Sequence, residues 1–273
     1  MSRAAREELA AVADDGTRLA ADVHSPPAPA GTVLLLGGQS LEPDVLDGLR
    51  DDLAAVHRVV VVHTRGTGRS QAGPGGDAAA GEWSTRRFAR DAVAVLDALG
   101  AARAHVHGFS MGGRVAQVLA AEHPGRVQRL VLGATGPGGA AEVARAPEVT
   151  RALRRLGTAA GRAALAELFF TPAFAAAHPQ LAARFAPRAP AAVQRGHHAA
   201  STGHDGTGLL ARVAAPALVV HGEDDAMTPP GNARALAALL PRARAELLPG
   251  ARHGYLAEAR ERSSALVLGF LAG

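Results

Sequence analysis

The sequence predicts an α/β fold: a mostly parallel, eight-stranded sheet that opens with an antiparallel hairpin and is interrupted by a helical cap. Three observations lead there. Short runs of aliphatic residues alternate with helix-length amphipathic segments, the pattern of βαβ units. Most of the strand-like runs are continuously apolar, as strands covered on both faces must be. The alternation then stops over residues 137–205, which are rich in Ala and Arg and punctuated by Pro147, Pro172, Pro179, Pro187 and Pro190, without a strand-like run. The expected organisation is therefore a core formed by 1–136 and 206–273, with 137–205 inserted as the cap.

Each element has its own signal. "ELAAVA" and "TRLAADVH" flank Asp14-Asp15-Gly16, an Asp-Gly turn that specifies a hairpin. A Pro/Ala stretch at 25–30 then reads as a surface connection. Buried strands are expected at 33–36, 59–62, 104–107 and 130–133. Between the second and third of these, residues 84–99 carry Phe88, Ala92, Val95, Leu96 and Leu99 at helical spacing. Between the third and fourth, a helix over 111–122 is stopped by His123-Pro124-Gly125. After the cap come a strand at 217–221, a helix at 231–240, a strand at 245–248 and a last helix over 255–271.

Composition narrows the function classes. At 273 residues and 48% hydrophobic content, the chain can build one large domain with a substantial core. It has no cysteine, so neither disulfides nor thiolate chemistry are available. The net charge of +4 comes from 29 arginines interleaved with 25 acids. That scatter is unlike a nucleic-acid-binding patch, and no nucleic-acid partner is expected. The N-terminal "MSRAAREELAAVADDG" lacks the apolar run of a signal peptide, and no segment reaches 18 uninterrupted apolar residues. A soluble, cytoplasmic protein without a membrane partner is expected.

The chemistry is concentrated in "HVHGFSMGGRVA", residues 105–116. Ser110 lies where a strand turns directly into a helix, with Gly108 and Gly112 two positions to either side. A strained turn of this kind exposes the hydroxyl and leaves the N–H of Met111 free at a helix N-terminus, suited to holding an oxyanion. A serine needs an imidazole to take its proton, and the imidazole needs a carboxylate to fix its tautomer. "ALVVHGEDDAMTPP" offers the acid on a turn after a strand; Asp225 is the candidate, with Asp224 as its neighbour. "AELLPGARHGYLAEA" offers His253 on the turn after the last strand. The order Ser, Asp, His suits this architecture. The other histidines have plainer readings. His57 and His123 lie at helix ends, and His24, His178, His197 and His198 lie in loops or the cap, where solvated positions are expected. His105, His107 and His221 flank strands and should find backbone partners, while His204 is a candidate for the pocket wall. No metal-ligand spacing, no G-x-G-x-x-G after the first parallel strand and no GKS or GKT is present, so neither metal nor cofactor is expected.

Taken together, "LLLGGQS", "VVHTRGTGRS", "HVHGFSMGG", "HGEDDAMTPP" and "PGARHGYLAE" resemble, in order, the oxyanion loop, the D-x-R-G-x-G-x-S loop, the nucleophile elbow and the acid and histidine turns of the α/β-hydrolase fold family. The match spans nearly the whole chain. It implies Ser110 as nucleophile, His253 as general base and then acid, Asp225 as orienting carboxylate, and the backbone N–H groups of Gln39 and Met111 as the oxyanion hole. Two positions depart from the pattern: Gly37-Gly38 stands where His-Gly is usual, which leaves Gly38 and Ser40 as alternatives to Gln39, and His63 replaces the usual aspartate. Arg65, Gly66 and Gly68 read as scaffold. Four of the seven phenylalanines, Phe169, Phe170, Phe174 and Phe185, fall in the cap. Gly38, Phe109, Phe169, Phe170, Phe174 and His204 are expected around a partly apolar pocket. The expected activity is hydrolysis of a small ester, thioester or lactone through an acyl-enzyme, by a monomer or homodimer; enol-lactonase-like and esterase chemistry are its sub-options. The rivals are a C–C bond hydrolase or a cofactor-free perhydrolase with the same triad, or a ligand-binding or natural-product-shaping protein with little turnover.

Overall fold

The structure, a computed structural model, describes residues 5–155 and 158–273. The first four residues of the stretch read above for a leader lie outside the described residues. The hairpin is formed by β1 (Ala5–Val12) and β2 (Arg18–Ser25), paired antiparallel along their whole length. At its turn the Asp15 carboxylate accepts from the Thr17 N–H at 3.0 Å, and Gly16 takes φ 82°, a conformation open to a residue without Cβ.

The chain then runs through β3 (Thr32–Leu36), α1 (Asp47–Ala54), β4 (Arg58–Val62), α2 (Thr85–Ala98), β5 (Ala104–Phe109), α3 (Met111–Glu122) and β6 (Val127–Gly133). Next come α4 (Pro147–Leu153), α5 (Ala159–Phe169), α6 (Pro172–Ala177), α7 (Pro179–Arg184) and α8 (Ala191–Thr202). The chain ends with β7 (Ala217–Gly222), α9 (Gly231–Leu239), β8 (Ala243–Leu248), α10 (Tyr255–Glu258) and α11 (Arg260–Ala272). Among the described residues the strands form one eight-stranded sheet in the order β1-β2-β4-β3-β5-β6-β7-β8. Pairing is parallel from β4 to β8, and β2 joins β4 antiparallel.

Both faces of the parallel strands are covered, which explains their unbroken apolar sequences. Leu34, Leu36, Val60, Val106, Leu132 and Val219 face a layer with Phe88 and Leu96 of α2, Val115 of α3 and Leu236 of α9. The alternate residues Val33, Leu35, Val59, Val61, Val131 and Leu218 face Leu49 and Leu53 of α1 and Val267 of α11. Helix α1 has too short a sequence signature to read, because only Leu49, Leu53 and Ala54 are buried over its two turns; packing, rather than local propensity, makes it helical. The last helix is divided at Ala259, where φ −117° leaves the helical region. Strand β8 starts two residues before its apolar run because its pairing with β7 begins at Ala217 opposite Ala243.

Five helices, α4 to α8, lie between β6 and β7 among the described residues. Gly138 and Asp205 form an isolated antiparallel bridge, so the two ends of this segment meet. Its phenylalanines pack on one another, with ring centroids 4.9 Å apart for Phe170 and Phe185 and 5.2 Å for Phe169 and Phe185. No helix among the described residues is long and apolar enough to cross a membrane.

Candidate active site

Ser110 joins β5 to α3 with φ 55° and ψ −118°. Two hydrogen bonds hold this turn: Ser110 N–H donates to the Gly133 carbonyl at 2.8 Å, and Gly113 N–H donates to the Ser110 carbonyl at 2.9 Å. Glycine at 108 and 112 follows from backbone crowding. A Cβ on Gly108 would lie 2.2 Å from the Gly112 carbonyl oxygen, and one on Gly112 would lie 2.2 Å from that of Leu36. Among the described residues three non-glycine positions have positive φ: Ser40, Ser110 and Ala134. They follow β3, β5 and β6, all at the C-terminal edge of the sheet, where strain of about 1–3 kcal/mol per residue persists only if the surroundings enforce it.

The same edge carries two further loops. Asp225 follows β7 and His253 lies between β8 and α10. His253 Nε2 is 3.1 Å from Ser110 Oγ, and its Nδ1 is 2.7 Å from Asp225 Oδ2. Asp225 Oδ1 accepts from the Thr228 N–H at 2.8 Å. A second ring stands beside the acid: His221 Nε2 donates to the Thr228 carbonyl at 2.6 Å and lies 3.2 Å from Asp225 Oδ2. Burial of Asp225 acts to raise its pKa, but His253 and His221 outweigh it and hold the carboxyl well below the usual carboxylate range. The ionised carboxylate can only accept, so His253 Nδ1 carries the proton and Nε2 presents its lone pair to the Ser110 hydroxyl.

The remaining sequence candidates surround this chain of hydrogen bonds. Met111 opens α3, so its N–H is one of the helix's free N-terminal donors. Gln39 lies in a turn closed by Leu41 N–H donating to the Gly38 carbonyl at 3.3 Å, with Ser40 at φ 57°. A Cβ on Gly38 would press on the Phe109 ring at 3.3 Å. The rings of Phe109 and Phe169 flank His253, with centroids 5.3 and 5.2 Å from it. The inserted segment is fastened here: Gly254 N–H donates to the Phe169 carbonyl at 2.8 Å.

This arrangement can be set beside known proteins. The sequence pattern of the family described as alpha/beta hydrolase fold matches residues 32–259. The chain belongs to that family. RutD of Caulobacter sp. (strain K31), whose name provisionally assigns it carbamate hydrolysis, is 31% identical over 264 residues, covering 92% of this chain and 95% of its own. The enol-lactonase of Burkholderia xenovorans LB400 superposes with a TM-score of 0.82 at 25% identity, covering 97% of this chain and all of the other. A thermophilic esterase of Thermogutta terrifontis gives 0.78 at 25% identity over 98% of each chain.

Other residues of this α/β hydrolase have different environments from those the sequence suggests. His204 uses both ring nitrogens between α2 and α3, at 3.1 Å from Thr85 Oγ1 and 3.1 Å from Gln117 Oε1. Phe170 is fully buried in the aromatic cluster, and Phe174 is half-buried between Phe170 and His178. His57 and His197, expected at solvated positions, are buried. His57 immediately precedes β4, and its ring lies edge-on to that of His105 with centroids 5.8 Å apart. His197 lies within α8, and no local signal marks which side of that helix faces the core. His63 supports its loop by another route than an aspartate would: Nδ1 accepts from the Arg69 N–H at 2.9 Å, while Nε2 faces Asp22 of β2 at 3.1 Å. Arg65 is buried between Asp91 and Asp15. A cleft of about 390 Å³ beside the acid turn is walled by Val149, Ala152, Leu168, Asp224 and Arg252 among others; Ser110 is not part of its wall. No group of three or more His, Cys, Asp or Glu among the described residues is gathered as a metal site.

Proposed function

We propose that the protein is a serine hydrolase that cleaves a carboxylic ester, thioester or lactone of a small, partly apolar substrate through an acyl-enzyme. The observation that carries this reading is the continuous hydrogen-bond chain Ser110–His253–Asp225 at the C-terminal edge of the sheet. Ser110 Oγ attacks the carbonyl carbon as its proton passes to His253 Nε2, while Asp225 stabilises the imidazolium. The oxygen that gains charge is held by the N–H groups of Met111 and Gln39. His253 returns the proton to the leaving oxygen or sulfur, and the acyl group stays on Ser110. Water, deprotonated by His253, then attacks the ester carbon, and the proton returns to Ser110 as the acid leaves.

Phe109 and Phe169, packed on the His253 ring, form the apolar side of the pocket, and Gly38 lets the oxyanion turn lie against Phe109. The names of the relatives support the reaction class: an ester, a lactone and a carbamate each present a carbonyl bonded to a heteroatom leaving group. His204 is not in our proposed pocket, since Thr85 and Gln117 occupy its nitrogens.

A fluorophosphonate probe is expected to label the wild type, and Ser110→Ala and His253→Ala to abolish labelling. Labelling unchanged in both variants would remove Ser110 as nucleophile. Substrate class is read from p-nitrophenyl esters of rising chain length beside γ-lactones and aryl carbamates, with the short apolar esters or the lactones expected to turn over fastest.

A further inference from the structure

The turn that carries Gln39 is not held by its own strand alone. His197, fully buried in α8 of the inserted segment, accepts the Ser40 N–H on Nδ1 at 2.9 Å and meets the Arg65 carbonyl with Nε2 at 2.8 Å. A backbone N–H can only donate and a carbonyl can only accept, so these partners fix one neutral tautomer: lone pair on Nδ1, proton on Nε2. The ring therefore spans two loops of the core, the Gly38–Leu41 turn and the loop that carries Arg65.

From this bridging geometry we propose that His197 is the positioning residue for the oxyanion turn, holding from the inserted segment the peptide that follows Gln39. This rests on the hydrolase reading above.

Three further observations show that the contact is built rather than incidental. Ser40 sits at φ 57°, the third position of a turn closed by Leu41 N–H on the Gly38 carbonyl, so the peptide between Gln39 and Ser40 is the central peptide of that turn. Its orientation is the soft coordinate of such a turn, and His197 engages its N–H. The approach of α8 is close at two points. A Cβ on Gly196 would lie 2.1 Å from the Trp83 ring, and one on Gly66 would lie 2.7 Å from Val193. The His197 ring is also enclosed by Trp83 and Phe88, with centroids 5.6 and 5.3 Å away, so no water competes for Nδ1 from that side. If the central peptide turned over, the Gln39 carbonyl would take the place of the Ser40 N–H and face the Nδ1 lone pair of His197, so the ring holds the turn in one of its two peptide orientations. Misplacing one oxyanion donor slows acyl transfer by up to about 10² to 10³ while leaving ground-state binding largely intact.

The test compares His197→Leu, which removes the acceptor, with His197→Asn, whose Oδ1 can still accept from Ser40. Steady-state hydrolysis of the best p-nitrophenyl ester is normalised to fluorophosphonate-titrated Ser110. His197→Leu is expected to lower kcat by about 10- to 100-fold with KM within about threefold, and His197→Asn to recover most of the loss. A residue that only stabilised the fold would lower Tm in both variants without this split. Equal kcat losses in the two, or kcat within about twofold of wild type in the leucine variant, would overturn the proposal. Should the leucine variant not fold, His197→Met, which adapts to irregular space and offers only a weakly accepting thioether, carries the same expectation. A wild type that is neither labelled nor active would overturn the hydrolase reading, and this inference with it.

Discussion

Asp225 serves two histidines through one oxygen, with His253 at 2.7 Å and His221 at 3.2 Å. Its other oxygen is spent on the Thr228 N–H. An amide at this position would have to present its NH₂ to one of these partners, and the His253 tautomer that leaves Nε2 free would no longer be favoured. Asp225→Asn is therefore expected to lower kcat by about 10⁴, by analogy with the same change in serine-protease triads. Asp224 is exposed on the same turn, and it is Asp225 that pairs with His253 Nδ1, so Asp224→Asn should stay within a few-fold of wild type. Steady-state ester hydrolysis distinguishes the two, and a worse lesion at 224 would reassign the acid. Of these side chains, Ser110, Asp225 and His253 were legible because turn chemistry surrounds each one in sequence. His221 was legible only in part: its strand position announced a backbone partner, which Thr228 provides, but not its approach to Asp225.

At the level of the element, the strand–turn–helix around Ser110 is determined by space. The backbone of β5 passes so close to the first turn of α3 that position 108 has no room for a methyl group, with 2.2 Å to the Gly112 carbonyl oxygen. Gly108→Ala is expected to destabilise the protein by at least about 1–3 kcal/mol in denaturant unfolding and to reduce fluorophosphonate labelling of the fraction that folds. Full stability together with full labelling would show that the turn relaxes freely. The parallel strands were legible because strands covered on both faces read as unbroken apolar runs, α2 because its apolar residues recur at helical spacing, and α3 because His123-Pro124-Gly125 marks its end. Helix α1 was not, since three buried residues, Leu49, Leu53 and Ala54, over two turns are too few to establish a period and its stability comes from the α11 side of the core. The break at Ala259 was equally silent in sequence, because no proline or glycine marks it.

Across the whole molecule, several histidines are buried in neutral form. Burial lowers His105, His107 and His197 to a pKa of about 4 and His204 to about 3, against an ordinary value of 6.5. The sign follows from proton counting. Below pH 6.5 the unfolded chain binds protons that the folded chain refuses, so their contribution to stability is complete above that pH and is lost as pH falls toward about 4. Each such histidine contributes a slope of about 1.4 kcal/mol per pH unit within that window. Urea midpoints measured from pH 7.5 to pH 5 should therefore fall steeply, and His107→Leu, at a fully buried position in β5, should flatten the dependence. A flat profile in the wild type would mean that these rings are protonated or exposed in the folded protein.

What the sequence by itself determined is everything that neighbours along the chain can specify: the alternation that makes a covered parallel sheet, the Asp-Gly hairpin, the glycines that let a strand turn into a helix, and the order of a hydroxyl, an acid and an imidazole on successive turns. Only the tertiary structure decided which of the 12 histidines are buried and what each one touches. Ser40 and His197 are 157 positions apart, as Ser110 and His253 are 143. The second pair was legible because both residues lie on turns at the ends of strands, and parallel strands bring those ends to one edge. The first pair was not, because the face that a helix residue presents to the core is set by how the helix docks, a property of distant surfaces rather than of the residues beside it.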